Sequence, residues 1–178
     1  MGLINRRDVL VGGTLLAVTA GRAQAGEEEL HKLGLARPPF AIDDPVLNVP
    51  DLAGAVHRIE DYRGKTVVVS FWATWCPPCR KELPTLAGLS RELAPDRFAV
   101  LAVNIGDNQN KIQSFLDRID HDGLPVLMDK SGKLSGKWYL RGMPVTYVVD
   151  GSGDVILAAI GERVWDSPEM IAALTSLG

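Results

Sequence analysis

The body of the chain is organised around the run Thr66-Val67-Val68-Val69-Ser70-Phe71-Trp72-Ala73. β-Branched and aromatic residues without polar alternation predict a strand buried on both faces. Phe98 to Ile105 repeats the pattern. Between these strands, about Cys79 to Leu93 predicts a helix that carries Pro84 inside it. Ile112, Phe115, Leu116 and Ile119 recur at helical spacing and predict an amphipathic helix over 111–119. Pro125 to Met128 reads as a short strand and Leu134 to Leu140 as a short helix. Val145–Val149 and Val155–Ile160 read as strands joined by the turn Asp150-Gly151-Ser152-Gly153-Asp154. Ser167 as N-cap, Pro168 behind it and Glu169 in the first turn open a last helix running to Gly178. Upstream, short apolar pieces between Pro45 and Ile59, broken by Asp51-Leu52-Ala53-Gly54, predict a small hairpin. Alternating strands and helices imply an α/β fold with a largely parallel sheet and helices on both faces, to which the late hairpin adds antiparallel strands.

The N-terminus follows a different pattern. Arg6-Arg7 gives a basic start, Val9 to Ala20 is apolar apart from Gly and Thr, and Ala23-Gln24-Ala25 is a small-x-small cleavage pattern. Residues 1–25 are therefore expected to be an export signal. Twelve helical residues reach only about 18 Å, short of the ~30 Å hydrocarbon core, so a spanning anchor is the weaker expectation. Asn5-Arg6-Arg7-Asp8-Val9-Leu10 resembles a twin-arginine signal, with Asn5, Val9 and Val11 departing from its usual pattern. An ordinary Sec signal with a basic start is the alternative. Residues 26–37, polar and acidic, are expected to be a flexible leader to a single domain at 38–178, and the compartment to be the periplasm.

Composition narrows the function classes. With 46% hydrophobic and 23% charged residues among 178, the chain is an ordinary globular mixture. A net charge of −3 gives no reason to expect nucleic acid or an anionic membrane surface as partner. The two cysteines both lie in Cys76-Pro77-Pro78-Cys79. Bridging so short a gap removes little loop entropy, so the pair is a poor structural staple.

The pair is better suited to chemistry. Placed between a buried strand and a helix, Cys76 meets the helix N-terminal amides and the positive end of the dipole, which stabilise a thiolate. Cys76, at the helix end and open to solvent, is expected to attack; Cys79, one turn in and more shielded, is expected to resolve the mixed disulfide. Pro77 and Pro78 fix φ and hold the turn rigid. Other chemistries fit less well. A structural zinc needs four ligands, and His31, His57 and His121 are scattered without ligand spacing, each expected at the surface. A peroxidase usually has Thr or Ser three residues before the attacking cysteine, where Ala73 stands here. No metal and no cofactor are expected.

Gly64-Lys65, then Ser70 to Pro84 through Trp75-Cys76-Pro77-Pro78-Cys79-Arg80-Lys81-Glu82, resembles the periplasmic TlpA/ResA-like branch of the thioredoxin superfamily. Gly142-Met143-Pro144-Val145-Thr146-Tyr147-Val148-Val149-Asp150 resembles its second signature. The resemblance, from about Pro38 to the C-terminus, implies a thioredoxin-like fold: a central mixed β-sheet flanked by helices, with an N-terminal β-hairpin and an inserted element after the second core strand. It implies a cis Pro144 facing Cys76, with the Met143 backbone presented to a substrate chain in extended form. It makes Glu82 the acid beneath the site, tuning the cysteines and relaying protons; a solvated helix glutamate is the alternative. Ser70 stands where thioredoxin carries a buried Asp. Trp75 is expected to shield Cys76 and meet substrate, and Trp72 to be core. The implied activity is thiol–disulfide exchange on exported proteins with cysteine pairs, as a reductase recharged by a membrane thiol-transfer protein. Apocytochromes c and copper-site proteins are the family's client types. Thr146 follows Val145 where dedicated cytochrome-maturation members carry an acid, which counts against that client. A monomer is expected. A net thiol oxidant of the same fold and a Cu(I) metallochaperone are the alternatives.

Overall fold

The computed structural model describes residues 26–42 and 45–178; the expected export signal at 1–25 lies outside them. Strands β1 (Asn48–Pro50) and β2 (Val56–Arg58) form the hairpin, with Val49 opposite His57. A 3-10 turn, Ile59–Tyr62, leads to β3 (Thr66–Trp72), α1 (Pro77–Glu92), β4 (Phe98–Ile105), α2 (Gln109–Leu116) and β5 (Val126–Asp129). The chain finishes with α3 (Leu134–Lys137), β6 (Val145–Val149), β7 (Val155–Ile160) and α4 (Pro168–Thr175). The main sheet has the order β5-β4-β3-β6-β7. β3, β4 and β5 are parallel, while β6 is antiparallel to both β3 and β7. The sheet is therefore mixed. The unit α2–β5, added after β4, is the inserted element and makes one edge.

Period-two alternation along β3 assigns its faces. Val68 and Trp72 join Leu83, Leu86 and Leu89 of α1, Ile112 and Phe115 of α2, and Met170 and Leu174 of α4 in one core. Val67, Val69 and Phe71 join the hairpin residues Leu47 and Val49, with Leu134 and Trp138, in the other. All three longer helices thus share one face. The hairpin, the 3-10 turn and the short helix α3 close the opposite face, so helices flank the sheet on both sides, as expected. Trp138 anchors that layer: it is fully buried, its indole N–H donates to the Val46 carbonyl at 2.8 Å, and its ring lies 5.1 Å from Phe71. A fully buried large apolar side chain is worth about 1.5–3 kcal/mol, so each core depends on a handful of such residues.

Several element boundaries differ from expectation, two of the helix starts for local reasons. α1 begins at Pro77, because the first helical positions need no N–H partner and tolerate two prolines. α2 begins at Gln109, where the Asn108 side chain accepts the Lys111 N–H at 3.0 Å. α4 stops at Thr175. The expected flexible leader also differs. Residues 26–32 are helical, Leu35 is 1% exposed, and Ala36 exchanges two backbone hydrogen bonds with Ala158 of β7, at 3.0 and 2.7 Å. The apolar positions Leu30, Leu33 and Leu35 dock this segment on the core.

Candidate active site

β3 ends at Trp72, and Ala73-Thr74-Trp75 turns the chain into α1 with Cys76 as its N-cap. Cys76 and Cys79 are joined by a disulfide, S–S 2.02 Å. The Cys79 backbone N–H donates to Cys76 Sγ at 3.3 Å, so the sulfur occupies the place of a capping oxygen. Exposure does not separate the two cysteines as expected: Cys76 is 3% exposed and Cys79 1%. Both sulfur residues pack into the α1-side core; position on the helix, not solvent access, is what distinguishes them. Trp75, expected to shield Cys76, is 67% exposed and stands out from the turn. Trp72 is core, as is Ala73.

The turn is held from β4. Asp107 accepts the Thr74 N–H at 2.7 Å and the Asn104 side-chain amide at 3.1 Å, while its own N–H donates back to Asn104 Oδ1 at 3.2 Å. Asp107, 33 residues downstream of Thr74, and its partner Asn104 carry no local motif.

Pro144 immediately precedes β6, and the Met143–Pro144 peptide bond is cis. β3 pairs Phe71 with Val145 and Ser70 with Thr146. Continuing that register sets Pro144 opposite Trp72, at the edge of the sheet where the Cys76 turn begins. Pro144 is buried, Met143 packs partly against the cysteine-containing core, and the Pro144 carbonyl accepts the Gly161 N–H at 2.9 Å.

Glu82, one turn beyond Cys79, points into the protein and is 1% exposed. Its Oε1 accepts from Ser70 Oγ at 3.2 Å and from Thr146 Oγ1 at 3.5 Å, and its Oε2 accepts the Arg163 backbone N–H at 3.1 Å. The Trp165 indole N–H lies beside the carboxyl, outside hydrogen-bond geometry, and also favours its charged form. Burial outweighs these donors and pushes the carboxyl above the usual carboxylate range. No basic side chain offsets that burial among the described residues, so the alternative of a solvated, ion-paired helix glutamate does not hold.

The loop after β7 is bolted in place by two links. The Arg163 guanidinium donates to four backbone carbonyls, those of Leu33 at 3.1 Å, Gly34 at 3.4 Å, Ile160 at 3.2 Å and Glu162 at 2.7 Å. Gly34 has φ +75°, and a Cβ there would fall 2.3 Å from the guanidinium. Thr85 of α1 accepts the Trp165 N–H at 3.1 Å. Thr146, Arg163 and Trp165 are site residues that the sequence reading missed. The one signal for Thr146 is a hydroxyl inside an otherwise apolar strand, opposite the equally anomalous Ser70.

His57, expected at the surface, is half-buried and ties the hairpin together through Tyr62 Oη at 2.6 Å and Asp51 Oδ2 at 3.2 Å. Among the described residues no cluster of three His, Cys, Asp or Glu side chains could hold a metal.

A disulfide-bonded cysteine pair at a helix N-terminus, a cis proline on the neighbouring strand and a buried acid one turn further along the helix fit thiol chemistry, and similarity to known proteins agrees. Residues 42–158 match the model of the AhpC/TSA family. The chain belongs to that family. It is 34% identical over 131 residues to the thiol–disulfide oxidoreductase ResA of Geobacillus kaustophilus, covering 72% of this chain and 70% of that protein. It is 36% identical over 112 residues to the thioredoxin-like protein YneN of Bacillus subtilis, covering 61% and 64%. Among solved structures, a DsbE-type thiol:disulfide interchange protein of Chlorobium tepidum superposes with a TM-score of 0.65 at 29% identity, covering 73% of this chain and 94% of that one. The exposed lipoprotein thioredoxin Etrx1 of Streptococcus pneumoniae gives a TM-score of 0.65 at 28% identity, covering 74% and 99%. The fold is thioredoxin-like, of the ResA-like branch, and this family member is a thiol–disulfide oxidoreductase.

Proposed function

We propose that the protein reduces disulfides in exported client proteins, with Cys76 attacking and Cys79 resolving. The observation that carries this reading is the Cys79 N–H directed at Cys76 Sγ at 3.3 Å. In the reduced protein the same amide, with the helix dipole, stabilises a thiolate on Cys76 and leaves Cys79 as the thiol. The Cys76 thiolate attacks one sulfur of a client disulfide, forming a mixed disulfide and expelling the other client sulfur as thiolate. Cys79 then loses its proton and attacks Cys76 Sγ, which restores the internal disulfide and releases the client reduced. Glu82, protonated more readily than a surface carboxyl, is placed one helical turn away to take up the Cys79 proton. The client chain lies extended along Met143-Pro144, and Trp75 offers it an exposed aromatic surface.

A membrane thiol-transfer protein returns the two electrons. The periplasmic assignment rests on the expected signal at 1–25, and the first clients to test are apocytochromes c and copper-site proteins. Replacing Cys79 by Ser should freeze mixed disulfides on Cys76 for identification by mass spectrometry. A variant that traps no protein in the compartment would sink the reading. Direction is tested by equilibrating the pair in glutathione buffers: a reductase should have a potential well below the about −120 mV of a strong oxidant.

A further inference from the structure

A basic cleft borders the active-site turn. Between α1 and α2 lies an open cleft of about 350 Å3 lined by Thr74, Arg80, Asn110, Lys111, Ser114, Phe115 and Arg118. Thr74 precedes Cys76 by two residues, and Arg80 follows Cys79 directly, so the cleft meets the turn from which Cys76 attacks. Arg80 is set by stacking its guanidinium over Phe115, 5.5 Å from the ring centroid. Lys111 and Ser114, at i and i+3, put one face of α2 along the cleft, and Arg118 joins them from the turn that follows the helix. No acidic side chain lines it. Among the described residues, none of the three cations takes part in an ion pair. Asp107, bonded to the Thr74 N–H and the Asn104 amide, and Asp117, which accepts from the Gln113 amide, do not line it. On a chain whose net charge is −3, three cations gathered at the reactive edge run against the overall balance.

We propose that this cleft binds acidic side chains of the client polypeptide next to its cysteine. The proposal deepens the reductase reading by naming the substrate class, and it rests on that reading for its place in turnover. An extended chain advances about 3.3 Å per residue, so acids within a few residues of a cysteine bonded to Cys76 come within reach of Arg80, Lys111 and Arg118. The charged groups of the lining are all cations, and its two hydroxyls and one amide are neutral, which suits carboxylates and repels lysine-rich segments.

Two measurements test it. Cystine-bridged peptides that differ only in carrying Glu, Gln or Lys beside the cysteine are reduced by the full protein, and rates are read by quenched mass spectrometry. The Glu peptide should react about tenfold faster than the Gln peptide at low salt, an advantage that shrinks as salt screens it. Charge reversal, Lys111→Glu with Arg118→Glu, should turn the ratio in favour of the Lys peptide. Equal rates for the Glu and Lys peptides on the native protein, or a preference unmoved by reversal, would overturn the proposal. The second measurement is independent of thiol chemistry. An acidic peptide with Ser for Cys, titrated into the oxidised protein, should shift the backbone NMR signals of residues 110–118, and the reversed variant should not respond. Silence of those signals overturns the cleft, whereas shifts in a protein that reduces no peptide support the cleft and overturn the reductase reading alone. Shifts produced by inorganic phosphate but not by the peptide overturn the client assignment.

Discussion

A carboxyl buried among hydroxyls and amides, as Glu82 is, gains hydrogen bonds but no opposite charge, and burial then favours its protonated form. The sign of the consequence can be followed directly. With a native pKa above the usual 4.5, Glu82 holds a proton in the folded state that it has lost in the unfolded one. Its stabilising contribution is complete below the unfolded value and disappears as pH rises through the native one. Glu82→Gln, which mimics the protonated acid, should therefore gain melting temperature relative to the native protein as pH rises, measured on the oxidised form so that the cysteines do not titrate. Thermal melts from pH 4 to 8 check this; parallel curves would mean that the carboxyl does not titrate abnormally. In exchange assays near neutrality the same variant should be slower by about 10²-fold, the scale of a lost proton relay.

Elements far apart in sequence deliver the partners of that carboxyl. Ser70 comes from β3, Thr146 from its antiparallel neighbour and Arg163 from the loop after β7. The Arg163 main chain touches Glu82 while its side chain holds the loop to Leu33 and Gly34. Arg163→Ala keeps the N–H but frees the loop that aims it. The Glu82 carboxyl should then titrate at higher pH, followed by its 13C NMR signal, and the pH profile of Cys76 alkylation in the reduced protein should move with it. A simple loss of stability would leave both profiles in place. These links explain what was legible in the sequence. Buried strands announce themselves by continuous Val and Ile, and Cys-x-x-Cys between strand and helix is a local signal. The donors to Glu82 are set by sheet register and by one main-chain N–H, which any residue but proline at 163 would supply. Composition likewise hid the docking of residues 26–37, because its acidic residues face water while Leu30, Leu33 and Leu35 do the packing.

For the molecule as a whole, that N-terminal segment is a strap along the β7 edge of the sheet. β7 is an edge strand, and Ala36 occupies part of its open side through two backbone hydrogen bonds to Ala158. Leu35→Ala should cost about 2–5 kcal/mol in urea unfolding, as for other fully buried leucines. Deleting residues 26–36 should do more than destabilise. It exposes unpaired strand groups, and light scattering should show concentration-dependent self-association that the full chain lacks.

The missing counter-ion at Glu82 also bears on how the protein stores electrons. Opening the disulfide should place a negative sulfur near a carboxyl that no cation among the described residues pairs, so reduction and proton uptake should be coupled. Each proton that accompanies the two electrons steepens the fall of midpoint potential by about 30 mV per pH unit. Over the pH range in which Glu82 is ionised in the disulfide form and protonated in the dithiol form, the native protein should show a steeper slope than Glu82→Gln. The driving force available to a client would then depend on the acidity of the compartment through a side chain that never touches it.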